Sequence, residues 1–320
     1  MPRLPGRCLT LGFLVLLSIA PLRAQLTFTF NYSLDSGNFF SGDNIGRRQH
    51  LEAVGTYVSQ YFTATTLSAI TPAGSNSWDV QVSSPANPSS TPISLGNLTI
   101  PANTVVIYVG GASLGGSVLA QAGPAGYSVS GDATWVNQTV EKRDLSLGAY
   151  ARTAVGSLSF NSATSWFFDP TPQANATFAG QYDFFSVAAH ELLHVLGFGI
   201  TDTGWGWKAN LFGGTFNGSR SLDEKSSAQL GISLNAGSDH WAAGTLSFSM
   251  RDGTSQETLM DPDIAAGVRK YLTSLDLRAM QDIGYATNFT AVPEPAAFGV
   301  GAGVISLVWA WRRRGRRAQS

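Results

Sequence analysis

The residues best equipped for chemistry are His190, Glu191 and His194, in the run Ala188-Ala189-His190-Glu191-Leu192-Leu193-His194-Val195-Leu196-Gly197-Phe198-Gly199. From Ser186 to Leu196 there is no Pro or Gly, Ala and Leu recur, and glycines follow at once. That pattern predicts a helix with its own stop signal. Residues four apart on a helix share a face, one turn above the other, so both imidazoles can reach a single ion. The H-E-x-x-H spacing suits zinc. Glu191 stands beside the pair, placed to take a proton from a water at the metal. The plainer alternative is a solvated or core-satisfied histidine pair. Against it, an ionisable cluster among Val, Ala, Leu and Phe is costly to bury unless it is paired or ligating.

A catalytic zinc takes three protein ligands and keeps one position open. The chain has four histidines, His50, His190, His194 and His240, and one cysteine, Cys8. Cys8 lies in a leader expected to be removed, so the mature chain is left without a disulfide or a thiolate ligand. The third ligand is therefore sought among His240, His50 and the carboxylates. His50 sits in a predicted amphipathic helix, Arg47 to Phe62, with Leu51, Val54, Val58 and Phe62 at helical spacing. It reads as a surface or packing histidine.

Other elements must position these residues. Trp78 to Val82 alternates like a strand, and Ser83 to Pro101 is a Pro/Ser-rich connection. Thr104 to Val109 is a β-branched run expected to be a buried strand, followed by a glycine-rich loop from Gly110 to Gly126. Gly115-Gly116 lacks the Lys-Ser/Thr partner of a phosphate loop. Gly156 to Phe160 reads as a strand leading to the site helix. Beyond that helix, Thr201 to Gly218 reads as an extended loop over the site. With Gly156 to Phe160, it is expected to set substrate preference. Ser274 to Asp282 is a last short helix with Leu275, Leu277 and Met280 as packing positions.

Both ends read as addresses. Arg3 and Arg7 precede an apolar run from Leu9 to Ala20, and Leu22-Arg23-Ala24 offers a small residue before Gln25, the pattern of a secretory signal over residues 1–24. At the other end Val292-Pro293-Glu294-Pro295 precedes an apolar run, Ala296 to Trp311, and an arginine cluster, Arg312-Arg313-Arg314-Gly315-Arg316-Arg317. A short hydrophobic segment stopped by positive charge belongs with the cluster on the cytoplasmic side. Without the leader's three arginines, the tail's five and Glu294, residues 25–291 keep 12 basic against 20 acidic residues, a net −8. An acidic body speaks against nucleic acid or anionic lipid as its partner.

With the His-Glu-x-x-His helix, His240-Trp241 and Glu257-Thr258-Leu259-Met260-Asp261-Pro262 in view, the body (residues 25–291) resembles the metzincin zinc metallopeptidases over about half its length, back through Gly156 to Asp183. The family pattern, H-E-x-x-H-x-x-G-x-x-H/D before a methionine turn, is met at His190, Glu191, His194, Gly197 and Met260. It fails at Ile200, where the third ligand is due. Leishmanolysin-like members delay the third histidine in a similar way, and His240, about 20 residues before Met260, fits that variant. Asp202, two residues beyond the expected register, Asp239 and Glu224 stay open as alternatives. Glu224 lies in a charged Asp-Glu-Lys run that is usually a solvated face. The resemblance implies an α+β fold: a twisted mixed sheet, an active-site helix and a smaller C-terminal subdomain. It also implies a secreted zinc endopeptidase acting on protein or peptide substrates, with Glu191 as general base, His190, His194 and His240 as ligands, and Met260 in the turn beneath the metal. Pro262 stands where many metzincins carry a tyrosine, so no tyrosine is given an oxyanion role.

The tail (residues 292–320) resembles the PEP-CTERM sorting segment of Gram-negative bacteria. It implies export to the cell surface or medium, with membrane anchoring until the tail is processed; a permanent C-terminal anchor is the plainer alternative. The competing reading of the whole chain is a non-catalytic, metal-stabilised extracellular surface or matrix protein. Glu191 favours the enzyme, because a binding module has no use for a base beside the metal.

Overall fold

The structure, a computed structural model, describes residues 25–62, 67–140, 143, 153–169, 171, 177–201, 206–225 and 231–289. The secretory leader and the sorting tail lie outside the described residues. No helix among the described residues is long and apolar enough to cross a membrane.

The chain is a mixture of α and β, as the α+β reading requires. Its main sheet has four strands in the order β1 (Thr27–Asn31), β4 (Thr104–Ala112), β7 (Val155–Asn161), β5 (Ala120–Pro124). The first three are parallel, and β5 runs antiparallel along β7 at the edge. A second antiparallel sheet is formed by β3 (Ile93–Gly96), β2 (Ser77–Val82) and β6 (Gly126–Ser130). Trp166–Phe167 (β8) and Tyr182–Asp183 (β9) form a short parallel pair just before the site helix.

Helix α1 (Arg47–Ser59) buries Leu51, Val54, Tyr57 and Val58. Its contact with the sheet is close: a β-carbon on Gly55 would lie 2.8 Å from the Phe30 ring. Helix α2 (Phe184–Val195) is buried on nearly every side, with His190 partly exposed. It comes near enough to β7 that a β-carbon on Gly156 would meet Val195 Cγ1 at 2.7 Å. Full burial of Leu192, Leu193 and Val195 contributes about 1.5–3 kcal/mol per side chain.

Downstream come β10 (Leu211–Phe212), β11 (Thr215–Phe216), α3 (Ser219–Glu224), β12 (Ile232–Ser233), β13 (Leu246–Phe248), β14 (Ser255–Glu257) and α4 (Ser274–Asp282). The strands form a three-stranded and a two-stranded antiparallel sheet. Their buried side chains join the same core as α1, α2 and the main sheet, while β2 and its neighbours close over a second cluster around Trp78, Val80 and Ile100.

Three segments differ from the sequence reading. The connection Ser83 to Pro101 contains β3, and the stretch Gly110 to Gly126 contains the end of β4 and all of β5. Among described residues of Thr201 to Gly218 there is a 3₁₀ turn (Lys208–Asn210) and the β10–β11 hairpin, with Trp207 and Phe216 buried in the main core. β5 is ordered by β7, a partner distant in sequence, and β3 and the hairpin by pairing with neighbouring strands, none of which single-segment periodicity registers.

Candidate metal centre

The ends of α2 are fixed by specific groups. Asp183 caps the N-terminus, accepting from Ser186 N at 3.2 Å and Ser186 Oγ at 2.6 Å. Arg269 donates to both Asp183 oxygens (2.8 and 2.7 Å) and to Asp169 Oδ2 (2.7 Å). At the other end Gly197, at φ +106°, donates to His194 O (2.9 Å), and Phe198 N donates to Leu193 O (3.0 Å). These are the two bonds of a Schellman stop. They turn the Phe198 carbonyl back onto His194, whose Nδ1 donates to it at 2.9 Å.

Three histidines converge on one point. The Nε2 atoms of His190, His194 and His240 stand 3.0 Å apart in all three pairings. Every Nδ1 faces an acceptor: Leu259 O for His190 (2.8 Å), Phe198 O for His194 and Asp239 Oδ1 for His240 (2.8 Å). Carbonyl and carboxylate oxygens only accept, so these contacts assign the proton to Nδ1 in each ring. The Nε2 lone pairs are left facing one another. With no proton between them that arrangement is repulsive, and a cation at the centre relieves it.

The donor set fits a metal ion. A point about 1 Å off the plane of this triangle lies about 2.0–2.1 Å from all three corners, the usual zinc–imidazole distance. Burial, reinforced by His194 and His240, holds the His190 pKa well below its ordinary value. Burial and His240 bring that of His194 down to about 4. Both rings are therefore neutral at physiological pH, the form that ligates. Among the described residues this is the one His/Cys/Asp/Glu group close enough to hold an ion.

Glu191 lies on the same cleft. It is 6% exposed, its Oε2 has no hydrogen-bond partner, and burial pushes its carboxyl up to about 8. The cleft has a volume of about 650 Å³. It is lined by Ser117 to Ala122 at the start of β5, by α2, and by Pro262 to Ile264 with Lys270. Lys270 is held at 2.6 Å to Asp263 O and 2.8 Å to Glu257 Oε2, with Asp261 Oδ1 at 3.4 Å.

His240 arrives from a separate segment with its own supports. Burial opposes ionisation of Asp239, yet its bonds from His240 and Asn235 hold its carboxyl below the ordinary value. Trp241, fully buried, packs on Phe198, Trp207 and Phe216 at ring-centroid distances of 5.3–5.5 Å. Trp207 in turn donates from Nε1 to Ser238 O at 2.7 Å. The aromatic residues after the helix thus brace the His240 segment.

Of the other sequence candidates, Asp239 contacts the remote nitrogen of His240 rather than joining the triad. Glu224 accepts from Ser274 Oγ and lies 3.8 Å from Arg278 Nε. His50, on α1, bonds Asp169 O at 2.8 Å and is apart from the cluster. Asp202 lies outside the described residues. Met260 is fully buried, and its carbonyl accepts from Trp241 N at 3.2 Å. The cleft wall is a correction: β5 lines it, whereas neither β7 nor the described residues 206–218 do. Sequence reasoning missed β5, Trp207, Asp239 as an orienting group, and Arg269. Only the run of Trp and Phe after the helix hinted at any of them.

No protein-family model matches the chain, and no curated protein matches it.

Proposed function

We propose that this chain is an exported zinc-dependent endopeptidase of the metzincin type, in the leishmanolysin-like variant that delays its third histidine. The observation that carries the reading is the triad of Nε2 atoms at 3.0 Å beside buried Glu191, whose Oε2 has no hydrogen-bond partner. Both halves matter. A structural metal site needs the triad, but not a carboxylate kept free at its side.

His190, His194 and His240 would hold the ion. When bound, zinc supplies a Lewis acid that polarises a carbonyl and lowers the pKa of water toward about 7. Glu191 accepts the proton of the attacking water as its oxygen bonds to the scissile carbonyl carbon. It returns that proton to the amine nitrogen as the C–N bond breaks. A cation in the triad favours the ionised carboxylate, offsetting the burial that raises its pKa.

A peptide is the substrate class that the open edge of β5 favours. On its far side from β7, β5 pairs with no strand among the described residues. An extended peptide can add to that edge through backbone hydrogen bonds, which would lay a scissile bond across the cleft. Metal analysis together with casein or gelatin hydrolysis, with and without a chelator, tests the proposal. A chain that binds no zinc, or hydrolyses equally under chelation, sinks it. Export and tail processing belong to the same reading, and intact-mass measurement of the exported protein tests them.

A further inference from the structure

We propose that Asp276 is the positioning residue of the three-histidine centre, a buried carboxylate that fixes the segment behind His240 and the carbonyl that aims His190. The proposal rests on the triad being a metal site. Asp276 is the third residue of α4 and is fully buried. Its Oδ2 accepts from Thr273 N (3.0 Å) and Thr273 Oγ1 (2.7 Å), as the start of a helix requires. Three further donors come from outside the helix. Leu259 N reaches Oδ2 at 2.9 Å, while Met260 N and the Trp241 indole reach Oδ1 at 3.3 and 3.0 Å.

These extra bonds exceed what capping needs, and all lead to the site. Leu259 gives its N–H to Asp276 and offers its carbonyl to His190 Nδ1. A shift of the carboxylate therefore moves the acceptor that sets the tilt and tautomer of a ligand. Trp241 follows His240 directly, and its indole and backbone N–H are tied to Asp276 and Met260 respectively. One side chain thus joins two segments nearly twenty residues apart in sequence, each one step from a ligand. Groups that orient ligating histidines in this way typically change metal affinity about 10–100-fold when removed.

The test compares the full-length parent with Asp276→Asn, an isosteric change that cannot accept from all five donors. Asp35→Asn is the control: Asp35 is a buried carboxylate accepting from Phe39, Phe40 and Gly111 amides and the Ser41 hydroxyl, and it does not line the cleft. Zinc affinity is read by competition with a chromophoric chelator, and ligand geometry from the visible spectrum of the cobalt form. Asp276→Asn should weaken zinc about 10–100-fold and alter the cobalt bands, while Asp35→Asn changes neither at a similar loss of melting temperature. Unchanged affinity in Asp276→Asn, or equal losses in both variants, overturns the proposal. A parent that binds no zinc removes the metal reading with it. Hydrogen exchange of the metal-free parent decides the matter if Asp276→Asn does not fold. Slow exchange at the Leu259 and Met260 amides without metal supports the clamp, and protection that appears only with zinc overturns it.

Discussion

Gly199 packs directly against the backbone of Asp239: a β-carbon there would collide with the Asp239 carbonyl oxygen and lie 3.0 Å from its carbon. The contact joins the end of the helix bearing His190 and His194 to the residue preceding His240. Gly199 also adopts φ +76°, a conformation that side chains disfavour. Gly199→Ala should therefore push the His240 segment away while leaving α2 in place. The expected result is a loss of zinc affinity of at least tenfold and destabilisation of about 1–3 kcal/mol. Chelator competition and thermal melting measure the two effects. Parental affinity in this variant would show that the close approach does not hold His240.

Glu191→Gln separates chemistry from metal binding. The amide cannot take a proton, so hydrolysis should fall at least about 10²-fold while zinc content stays at the parental level. Equal turnover would remove Glu191 from its role as base.

The same substitution has a pH signature in the metal-free protein. Burial raises the Glu191 carboxyl from 4.5 to about 8. Its contribution to stability is complete below pH 4.5, where folded and unfolded chains are both protonated. It is lost as pH rises toward 8 and the folded state must bury the charge. Glutamine carries no such penalty. Glu191→Gln should match the parent near pH 4 and exceed it by roughly 4–5 kcal/mol above pH 8. Urea unfolding in the presence of chelator gives the difference, and a gap independent of pH would contradict it.

Local order in the sequence was legible. The His-Glu-x-x-His helix needed only an apolar run, a spacing of four and a glycine stop, and α4 begins and ends at the residues its pattern predicts, Ser274 and Asp282. What sequence concealed is held by distant partners. Ala120–Pro124 is poor in strand formers and becomes a strand by pairing with β7. Trp207 and Phe216 occupy short, aperiodic segments, yet they stack at 4.2 Å in the core against Trp241. The third histidine of the triad lies 46 residues beyond His194. No period connects the two; aromatic packing and the Asp239 contact bring them together.

A buried ion pair fixes the start of α2, with Arg269 between Asp169 and Asp183. Its guanidinium and the carboxylates of Asp169 and Asp183 are each at most 7% exposed. Arg269→Met would leave two buried carboxylates without their cation, at a cost of about 3–5 kcal/mol near neutral pH. Burial works against the Asp169 charge, yet its Arg269 bonds hold its pKa below 3.8. The stability this bond contributes is present above pH 3.8 and lost as pH falls through the lowered value. The gap between parent and variant should accordingly narrow in acid. Unfolding curves from pH 7 to pH 3 measure it, and a gap that stays constant would show that the ion pair is not its source.

His240 is the histidine of the triad whose removal discriminates most sharply. Its ring completes the triangle of 3.0 Å contacts, and its Nδ1 is already committed to Asp239. His240→Ala leaves His190 and His194 as two ligands from one helix face, too few for a closed protein set. Metal binding energy is shared with folding, so the site region should lose stability along with the ion. His240→Ala is therefore expected to lose zinc on dialysis and to melt at the temperature of the metal-free parent. His50→Ala, which removes a bond from α1 to the Asp169 carbonyl, should keep one zinc per chain. Elemental analysis after dialysis reads both. Retention of one zinc at parental affinity by His240→Ala would transfer the third position to a carboxylate, with Asp239 the nearest to hand.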